Sequence, residues 1–436
     1  MRIAVVGAGI SGLAAARRLS REQHQVTVFE SEPRAGGHAH TVSVTLDGIS
    51  HPVDTGFLVL NERTYPNLLA LFAELQIDLA PSDMSFSASI QPEGIEWSGS
   101  SIGSLFAQPA NMVRPQFLRM VLDILRFNRA ATRLASAGLD EPAGAQNARE
   151  PLGRWLSRHH YGAGFRHWYL LPMAAAIWSC PTATMNDFPI GSFVRFFHNH
   201  GLLQISNRPQ WLTIPGGSQR YVERITAELD DLRLACPVLG ISRARLASHG
   251  CVDVRTAAGH ESFDAVVLAT HSPQALAMLE DADSTEAQAL AAIAYQPNRA
   301  WLHTDASLMP RTRATWSAWN YAADAAQSGQ GRVSVTYWLN RLQPLPFVTP
   351  VLVSLNPLRE PDPATVIRTL DYEHPVFDDS AMHAQSLLRE HQGSRSTWFA
   401  GAWMGYGFHE DGLVSGLAAA AGVSRAADTA RLRQAA

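Results

Sequence analysis

The chain of 436 residues contains no lysine; all 35 of its basic residues are arginine. That excludes a Schiff-base lysine, a lysine general base and a P-loop lysine from any mechanism it could support. Cysteine is nearly as scarce. Cys180, Cys236 and Cys251 are scattered with no C-x-x-C pair, which argues against a structural zinc site and a disulfide scaffold. A cytoplasmic, reducing location is the expectation. There is no run of 18 apolar residues, and the richest stretch, Leu170 to Trp178, is too short to cross a bilayer. A net charge of −4 gives no case for binding nucleic acid, which needs a basic face. Met1 to Val6 already reads as a buried strand, so no signal peptide is expected before it.

The N-terminus alternates cleanly between strand, glycine turn and helix. Arg2 to Val6 reads as a strand, Gly7 to Gly12 as a tight turn, Leu13 to Arg21 as a helix and Val26 to Phe29 as a second strand. Asp47-Gly48 signals a hairpin within Thr41 to Val59. From Asn67 to about Arg208 the chain looks helical and aromatic-rich, without strands. A second α/β stretch starts near Trp211, with strands near Leu232 to Leu234, Val252 to Thr256 and Ala265 to Thr270. Further strands are expected at Ala300 to Thr304, Val333 to Leu339 and Val351 to Leu355. Trp398 to Ala421 reads as strand, glycine turn and alanine-rich helix.

Gly7-Ala8-Gly9-Ile10-Ser11-Gly12 fits G-x-G-x-x-G, following a strand and opening a helix. Gly7 permits the turn, Gly9 lets backbone approach a pyrophosphate, and Gly12 lets helix pack on strand. The helix start offers free N–H groups and partial positive charge to phosphates. Glu30 ends the second strand, placed to accept from a ribose diol, with Ser31 beside it. These features predict a dinucleotide site.

Three further features separate FAD from NAD. Arg34-Ala35-Gly36-Gly37-His38 is a second glycine turn that a simple NAD domain does not need. Val53-Asp54-Thr55-Gly56 follows. Phe399-Ala400-Gly401-Ala402-Trp403 leads into Asp411-Gly412-Leu413-Val414-Ser415-Gly416. In this order and spacing they resemble the superfamily of flavin amine oxidases, protoporphyrinogen oxidases and phytoene desaturases. The likeness is closest to bacterial FAD-binding proteins encoded beside cyclopropane-fatty-acid synthases. It rests there on Leu171 to Ser179, Phe188-Pro189, Phe196 to Gly201, Trp211 and Gly216-Gly217-Ser218.

The resemblance implies an α/β fold: a Rossmann-type, amine-oxidase-like FAD-binding domain with a discontinuous α+β substrate domain. The boundaries expected are 1–75, 210–290 and 396–436 for FAD, with 76–209 and 291–395 for substrate. It implies non-covalent FAD, held by the glycine turns together with Val238, Ala269 and Thr270, and by Gly401, Ala402, Gly412, Leu413 and Val414. It also implies oxidation or desaturation of a modified fatty acyl chain. Two departures turn away from amines: Ala402 replaces a common glutamate, and the lysine many amine oxidases use beside flavin N5 does not exist here.

One dinucleotide fingerprint is present, so no separate NAD(P)H domain is expected, and oxygen, a quinone or a protein carrier would take the electrons. His198 and His200 are candidate proton acceptors, against interior histidines as the plainer reading; a metal at this H-x-H, taken as lying on a strand, lacks a third ligand. Tyr406 joins them as a catalytic candidate. Trp178, Phe196, Trp211 and Trp403 are expected substrate walls, although core packing explains such aromatics as well. The segment Arg114 to Arg133 is amphipathic and basic. A solvated helix packed on the domain is the default, and a peripheral membrane contact, at the inner face of the membrane, is the alternative. Besides the desaturase, a redox-neutral fatty-acid isomerase, an FAD-binding accessory subunit of a lipid methyltransferase and an amine oxidase remain open.

Overall fold

The computed structural model describes residues 1–91, 93–136, 149–178, 182–204, 209–243, 252–324 and 332–435. Cys180 and Cys251 lie outside the described residues.

A five-stranded parallel sheet organises one side of the molecule. Its central strand, Arg2–Val6, pairs with Gln25–Phe29 on one flank and with Ala265–Leu268 on the other. Asp231–Arg233 and Thr397–Phe399 form the edges. The sheet therefore draws strands from the start, the middle and the end of the chain. Its inner strands are almost entirely apolar and buried, as expected where helices cover both faces of a parallel sheet. The helix Ile10–Arg21 packs its small residues, Ala14 to Ala16, against the sheet and against the C-terminal helix His409–Ala435. Leu13, Leu19, Leu413 and Val423 close this layer at 1% exposure or less, each worth roughly 2 kcal/mol of apolar burial.

The second sheet has seven strands from two distant stretches of chain. Phe86–Ile90 and Ile95–Ser98 join Tyr295–His303, Trp319–Ala323, Val333–Trp338, Leu352–Leu355 and Val366–Pro375. Phe86–Ile90 pairs in parallel with Trp319–Ala323, which ties the two stretches together. The strands at 80–98 correct the expectation of an all-helical segment after Asn67. Their interior faces carry paired polar groups, Ser87 to Asn320 at 2.8 Å and Ser98 to Ser317 at 2.8 Å. Those satisfied serines hide the apolar alternation that marks a strand.

The hairpin Thr41–Leu46 to Ile49–Asp54 turns at Asp47 and Gly48, both with positive φ, as a two-residue primed turn requires. A helical layer covers the rest. Pro115–Ser136, Leu152–Arg158, Leu171–Trp178 and Ile190–Asn199 bury Phe127, Phe165, Phe193 and Phe197 between them. A π-helical turn, Arg166–Leu170, leads into Leu171–Trp178. The long apolar stretch of sequence is thus a buried helix. No helix among the described residues is long and apolar enough to cross a membrane.

Candidate functional site

The first glycine turn is shaped by contacts that no side chain could share. Gly7 has φ +101°, and a Cβ there would lie 2.7 Å from the Ala269 carbonyl oxygen. A Cβ on Gly12 would sit 1.8 Å from the Gly7 oxygen. Gly9 differs: a Cβ there would meet nothing within 4 Å, so this face of the turn opens on space. The helix Ile10–Arg21 has no side-chain cap on its first turn, since Gly9 is the capping position. Its leading N–H groups, at Ile10 and Ser11, are left for a ligand.

The second glycine turn is bonded to the first. Gly36 N–H donates to the Ala8 carbonyl at 2.8 Å, and Gly37, at φ +57°, brings backbone within van der Waals reach of Gly9. Arg34 donates to the Gly37 carbonyl at 3.0 Å through one terminal nitrogen. Its other terminal nitrogen is buried without a partner, and burial lowers its pKa. A buried, unpartnered guanidinium nitrogen beside a glycine cradle suits an anion such as a pyrophosphate. Glu30 accepts from Ala8 N–H at 2.7 Å and Glu32 N–H at 2.9 Å, with the Ser31 hydroxyl at 3.2 Å. The carboxylate is thereby fixed at the strand end. Val238 begins a strand that runs on from Cys236, whose N–H donates to the Glu30 carbonyl at 2.8 Å.

The terminal segment packs over the first turn. A Cβ on Gly412 would lie 2.8 Å from the Ile10 side chain, and one on Gly416 would lie 2.1 Å from the Ser11 oxygen. Ala402 is half-buried and Leu413 buried, while Val414, 43% exposed, points away from the packed layer. The residues present therefore fit a dinucleotide lying along the Gly9 face, between the helix start and the terminal segment.

Of the expected cofactor-binding run Asp54-Thr55-Gly56, the two polar side chains bond within the protein. Asp54 is 1% exposed; it accepts from Ser218 N–H at 2.9 Å, the Ser218 hydroxyl at 2.8 Å and the Thr41 hydroxyl at 2.5 Å. It fixes Ser218, the residue that precedes the helix Gln219–Thr226, and burial pushes its pKa up to about 6. The Thr55 hydroxyl is spent on the His40 carbonyl and on Tyr372. Gly56 packs on the His38 carbonyl, where a Cβ would come within 2.1 Å. These residues hold the second turn in place. The Asp54 carboxylate and Thr55 hydroxyl are taken up by these bonds, which leaves the backbone of this run as the part that could face a cofactor. His38 lies in a ring cluster with Tyr372 at 5.2 Å, His374 at 5.5 Å and His271 at 6.2 Å. Burial depresses its pKa well below the usual histidine range.

The candidate reaction side is aromatic. His200 stacks on Phe196 with ring centroids 3.9 Å apart. Phe408, from the terminal segment, stacks on Phe196 at 4.9 Å and lies 5.4 Å from His200. Trp211 lies parallel to His200 at 6.4 Å, and Trp178 packs on Phe196 at 4.6 Å. The Phe408 carbonyl accepts the Gly412 N–H at 3.1 Å, so this array stands one helical turn before Gly412, which packs on Ile10 of the first glycine turn. Phe408 was not among the sequence candidates; its place just before the terminal helix was the available signal. Burial lowers the His200 pKa to about 4. Its Nδ1 lies 2.9 Å from the Phe196 carbonyl oxygen, which can only accept. The proton therefore sits on Nδ1 and Nε2 is bare.

His198 and His200 end a helix, Ile190–Asn199, and not a strand. Two residues apart on a helix they face different sides, so they do not form the same-face pair that a strand would give. His198 is half-buried in the last turn. Trp403 also departs from expectation. It is 2% exposed, packs in the core behind the parallel sheet, and donates Nε1–H to the Thr270 carbonyl at 2.9 Å. It is a core residue, not a substrate wall. Tyr406 is half-buried, and its N–H and that of Phe408 donate to Asp411, whose pKa burial raises to about 6. His409 stacks on Phe57 at 3.9 Å and pairs with the Tyr221 hydroxyl at 2.7 Å. A cavity of about 580 Å³ beside the seven-stranded sheet, lined by Glu96, Arg311, Arg332 and neighbours, shares no residue with this site.

The chain matches the family described as flavin containing amine oxidoreductase over residues 10–424. It is 30% identical over 275 residues to a Mycobacterium tuberculosis protein named as a flavin-containing monoamine oxidase, AofH, covering 61% of this chain and 56% of that one. The chain thus spans about half the length of the curated relatives it matches. Among solved structures it is similar to cyclohexylamine oxidase from Brevibacterium oxydans, with a TM-score of 0.71 and 17% identity over 98% and 99% of the two chains. It is also similar to a fatty acid isomerase from P. acnes that produces CLA, with a TM-score of 0.66 and 17% identity over 97% and 98%. At these identities the structural likeness speaks for the fold.

Proposed function

The chain belongs to the flavin-containing amine oxidoreductase family and is an FAD-dependent oxidoreductase; from that premise we propose that its substrate is a modified fatty acyl chain, cyclopropane-bearing, methyl-branched or unsaturated, linked in phospholipid. The observation that carries this is an aromatic cluster in which half-buried His200, Phe408 and Trp211 stand in front of the buried Phe196 and Trp178. None of these five side chains carries a charge, and the charge that His200 feels among the described residues is the Arg63 cation. His200 is neutral, and the two acids of the adjoining terminal segment are engaged by backbone N–H groups: Asp411 by Tyr406 and Phe408, Glu410 by Asn67 and Leu68. A cationic amine would be desolvated here without a counter-charge, whereas an alkyl chain pays no such penalty.

Desaturation removes a hydride from one carbon and a proton from its neighbour. Bound FAD, held non-covalently, supplies the hydride acceptor, and oxygen, a quinone or a protein carrier reoxidises it. The aromatic wall excludes water and orients the chain. Nε2 of His200 is the one unprotonated nitrogen in that wall, and we assign it to receive the proton.

Anaerobic mixing of the oxidised holoprotein with phospholipids carrying such chains tests the proposal. Bleaching of the visible flavin band, with loss of two hydrogens from the acyl chain by mass, is expected. Conversion without bleaching or acceptor would show an isomerase instead. Bleaching by simple alkylamines but by no lipid would overturn the acyl assignment.

A further inference from the structure

The helix Pro115–Ser136 presents an apolar ridge to solvent. Its inward face is the one with Phe117, Met120 and Phe127, which are buried. The outward face carries Leu118, Leu122 and Leu125 at helical spacing, and Leu122 is 66% exposed. The ridge continues past the helix start into Met112 and Val113, the latter 80% exposed. Phe106 packs on Phe117 at 5.9 Å, which brings the short helix Ile102–Leu105 to the same end. Ile102 there is also 80% exposed. Six large apolar side chains on two helices and the segment that joins them is more than the scatter of single exposed residues seen on soluble surfaces.

The charge around this ridge has one sign. Between Ser100 and Ser136 the sequence has five arginines, at 114, 119, 126, 129 and 133, and a single acid, Asp123. Asp123 is buried, accepting from Gly162 N–H at 2.9 Å and facing Arg126 at 3.3 Å. Arg129 and Arg133 are exposed and make no ion pair among the described residues. At 100° per residue, Arg129 falls on the ridge, while Arg119, Arg126 and Arg133 line one side of it. An apolar ridge carrying Arg129 and Arg133 with no acid against them among the described residues, and flanked by Arg119 and Arg126 that share the single buried Asp123, fits the boundary between acyl chains and anionic headgroups.

We propose that this face docks the protein on an anionic phospholipid bilayer, with Ile102, Met112, Val113, Leu118 and Leu122 entering the acyl boundary and the arginines pairing with headgroup phosphates. The helix inner side and the helix bearing Phe196 and His200 pack on each other. Docking here therefore sets the candidate site one layer above the membrane surface. The inference does not depend on what the site oxidises.

The test is sedimentation of the FAD-loaded full chain with vesicles of phosphatidylcholine alone or mixed with phosphatidylglycerol. Binding is expected to rise by about tenfold or more with the anionic lipid and to fall with added salt. The double substitution Val113→Asp, Leu122→Asp should abolish it, and Arg129→Gln with Arg133→Gln should weaken it several-fold. Val348→Asp, at a 92% exposed apolar residue elsewhere, should leave it unchanged. Flavin content reports whether each variant is folded. Absence of binding to anionic vesicles overturns the proposal. So does a concentration-dependent dimer in solution that the double substitution dissolves, because the ridge would then be covered by a second copy. Either failure leaves the acyl-chain proposal standing, since detergent-dispersed lipid still tests the site.

Discussion

Gly36 N–H donates to the carbonyl of Ala8 at 2.8 Å, and this one bond makes two glycine turns from different parts of the sequence a single cradle. Gly9 and Gly12 in that cradle answer to different demands, so alanine at each separates folding from binding. At Gly12 a methyl collides with the Gly7 oxygen at 1.8 Å, and Gly12→Ala should cost upwards of about 3 kcal/mol or prevent folding. At Gly9 a methyl has open space in the protein. Gly9→Ala should fold with apoprotein thermal stability near wild type and yet lose most of its visible flavin absorbance. Full flavin content in Gly9→Ala would mean that the pyrophosphate does not lie on this face.

His200 sits on Phe196 with its proton on Nδ1 and its Nε2 bare, and burial holds its pKa near 4. His200→Phe keeps the aromatic stack and removes only the nitrogen. It should slow flavin reduction by acyl substrate by about 100-fold, the scale of a lost general base, with little change in substrate affinity. In wild type the reduction rate should be flat from neutral pH down to about 5 and fall as pH drops through 4, when Nε2 takes a proton. That acid limb should be missing in His200→Phe. An unchanged rate in the variant would reduce His200 to a wall residue.

Much of the cofactor side was legible because its physics is local. Arg2–Val6 followed by three spaced glycines leaves few conformations, and Gly7, Gly36 and Gly37 take the positive φ that their turns require. The rest depended on contacts that no spacing encodes. Asp54 looks like a ligand in sequence, but its lone pairs go to Ser218 and Thr41, 164 and 13 residues away. Trp403 stands in the right motif, yet its indole turns behind the sheet to reach Thr270. His198 and His200 read as a strand pair because H-x-H alternates there, while the preceding Phe193, Phe196 and Phe197 follow the helical period that won. Phe408 has only its place before the terminal helix to mark it in sequence; its contact with Phe196 and His200 comes from the fold, which sets the terminal segment against the helix Ile190–Asn199.

Arg243 and Glu286 form a buried ion pair behind the parallel sheet, with side chains 1% and 0% exposed. Arg243 also donates to Asp281 at 2.8 Å, and Asp283 caps the helix that carries Glu286. Asp283, Glu286 and His391 have the spacing of a metal site, but Glu286 is already claimed by Arg243 at 2.7 Å. Arg243→Met should strand the Glu286 carboxylate in the core and cost about 3–5 kcal/mol in denaturant unfolding. The double variant Arg243→Met, Glu286→Gln should recover a large part of that loss. A single substitution as stable as wild type would show that the pair is not the anchor of this region.

Acidification should destabilise the protein above pH 5, and His303 shows why. It is fully buried; Asp305 N–H donates to its Nδ1 at 3.0 Å, which leaves Nε2–H to donate to the Ser354 hydroxyl at 2.9 Å. The native structure thus needs the neutral ring, and burial lowers its pKa from 6.5 to about 4. Between those values the unfolded chain binds the proton and the native chain does not, so the stabilisation is complete above pH 6.5 and is lost as pH falls toward 4. His40, His200 and His374 are lowered to about 4 and His409 to about 3, all first by burial, and act in the same direction. Asp54 and Asp411, raised to about 6, act oppositely, because their stabilisation is lost as pH rises through 6. The histidines outnumber them. The denaturant midpoint should therefore be lower at pH 5 than at pH 7, with net proton uptake on unfolding at pH 5. His303→Gln should unfold with about one proton fewer taken up there. A midpoint that holds or rises between pH 7 and pH 5 would mean these rings are charged in the native protein.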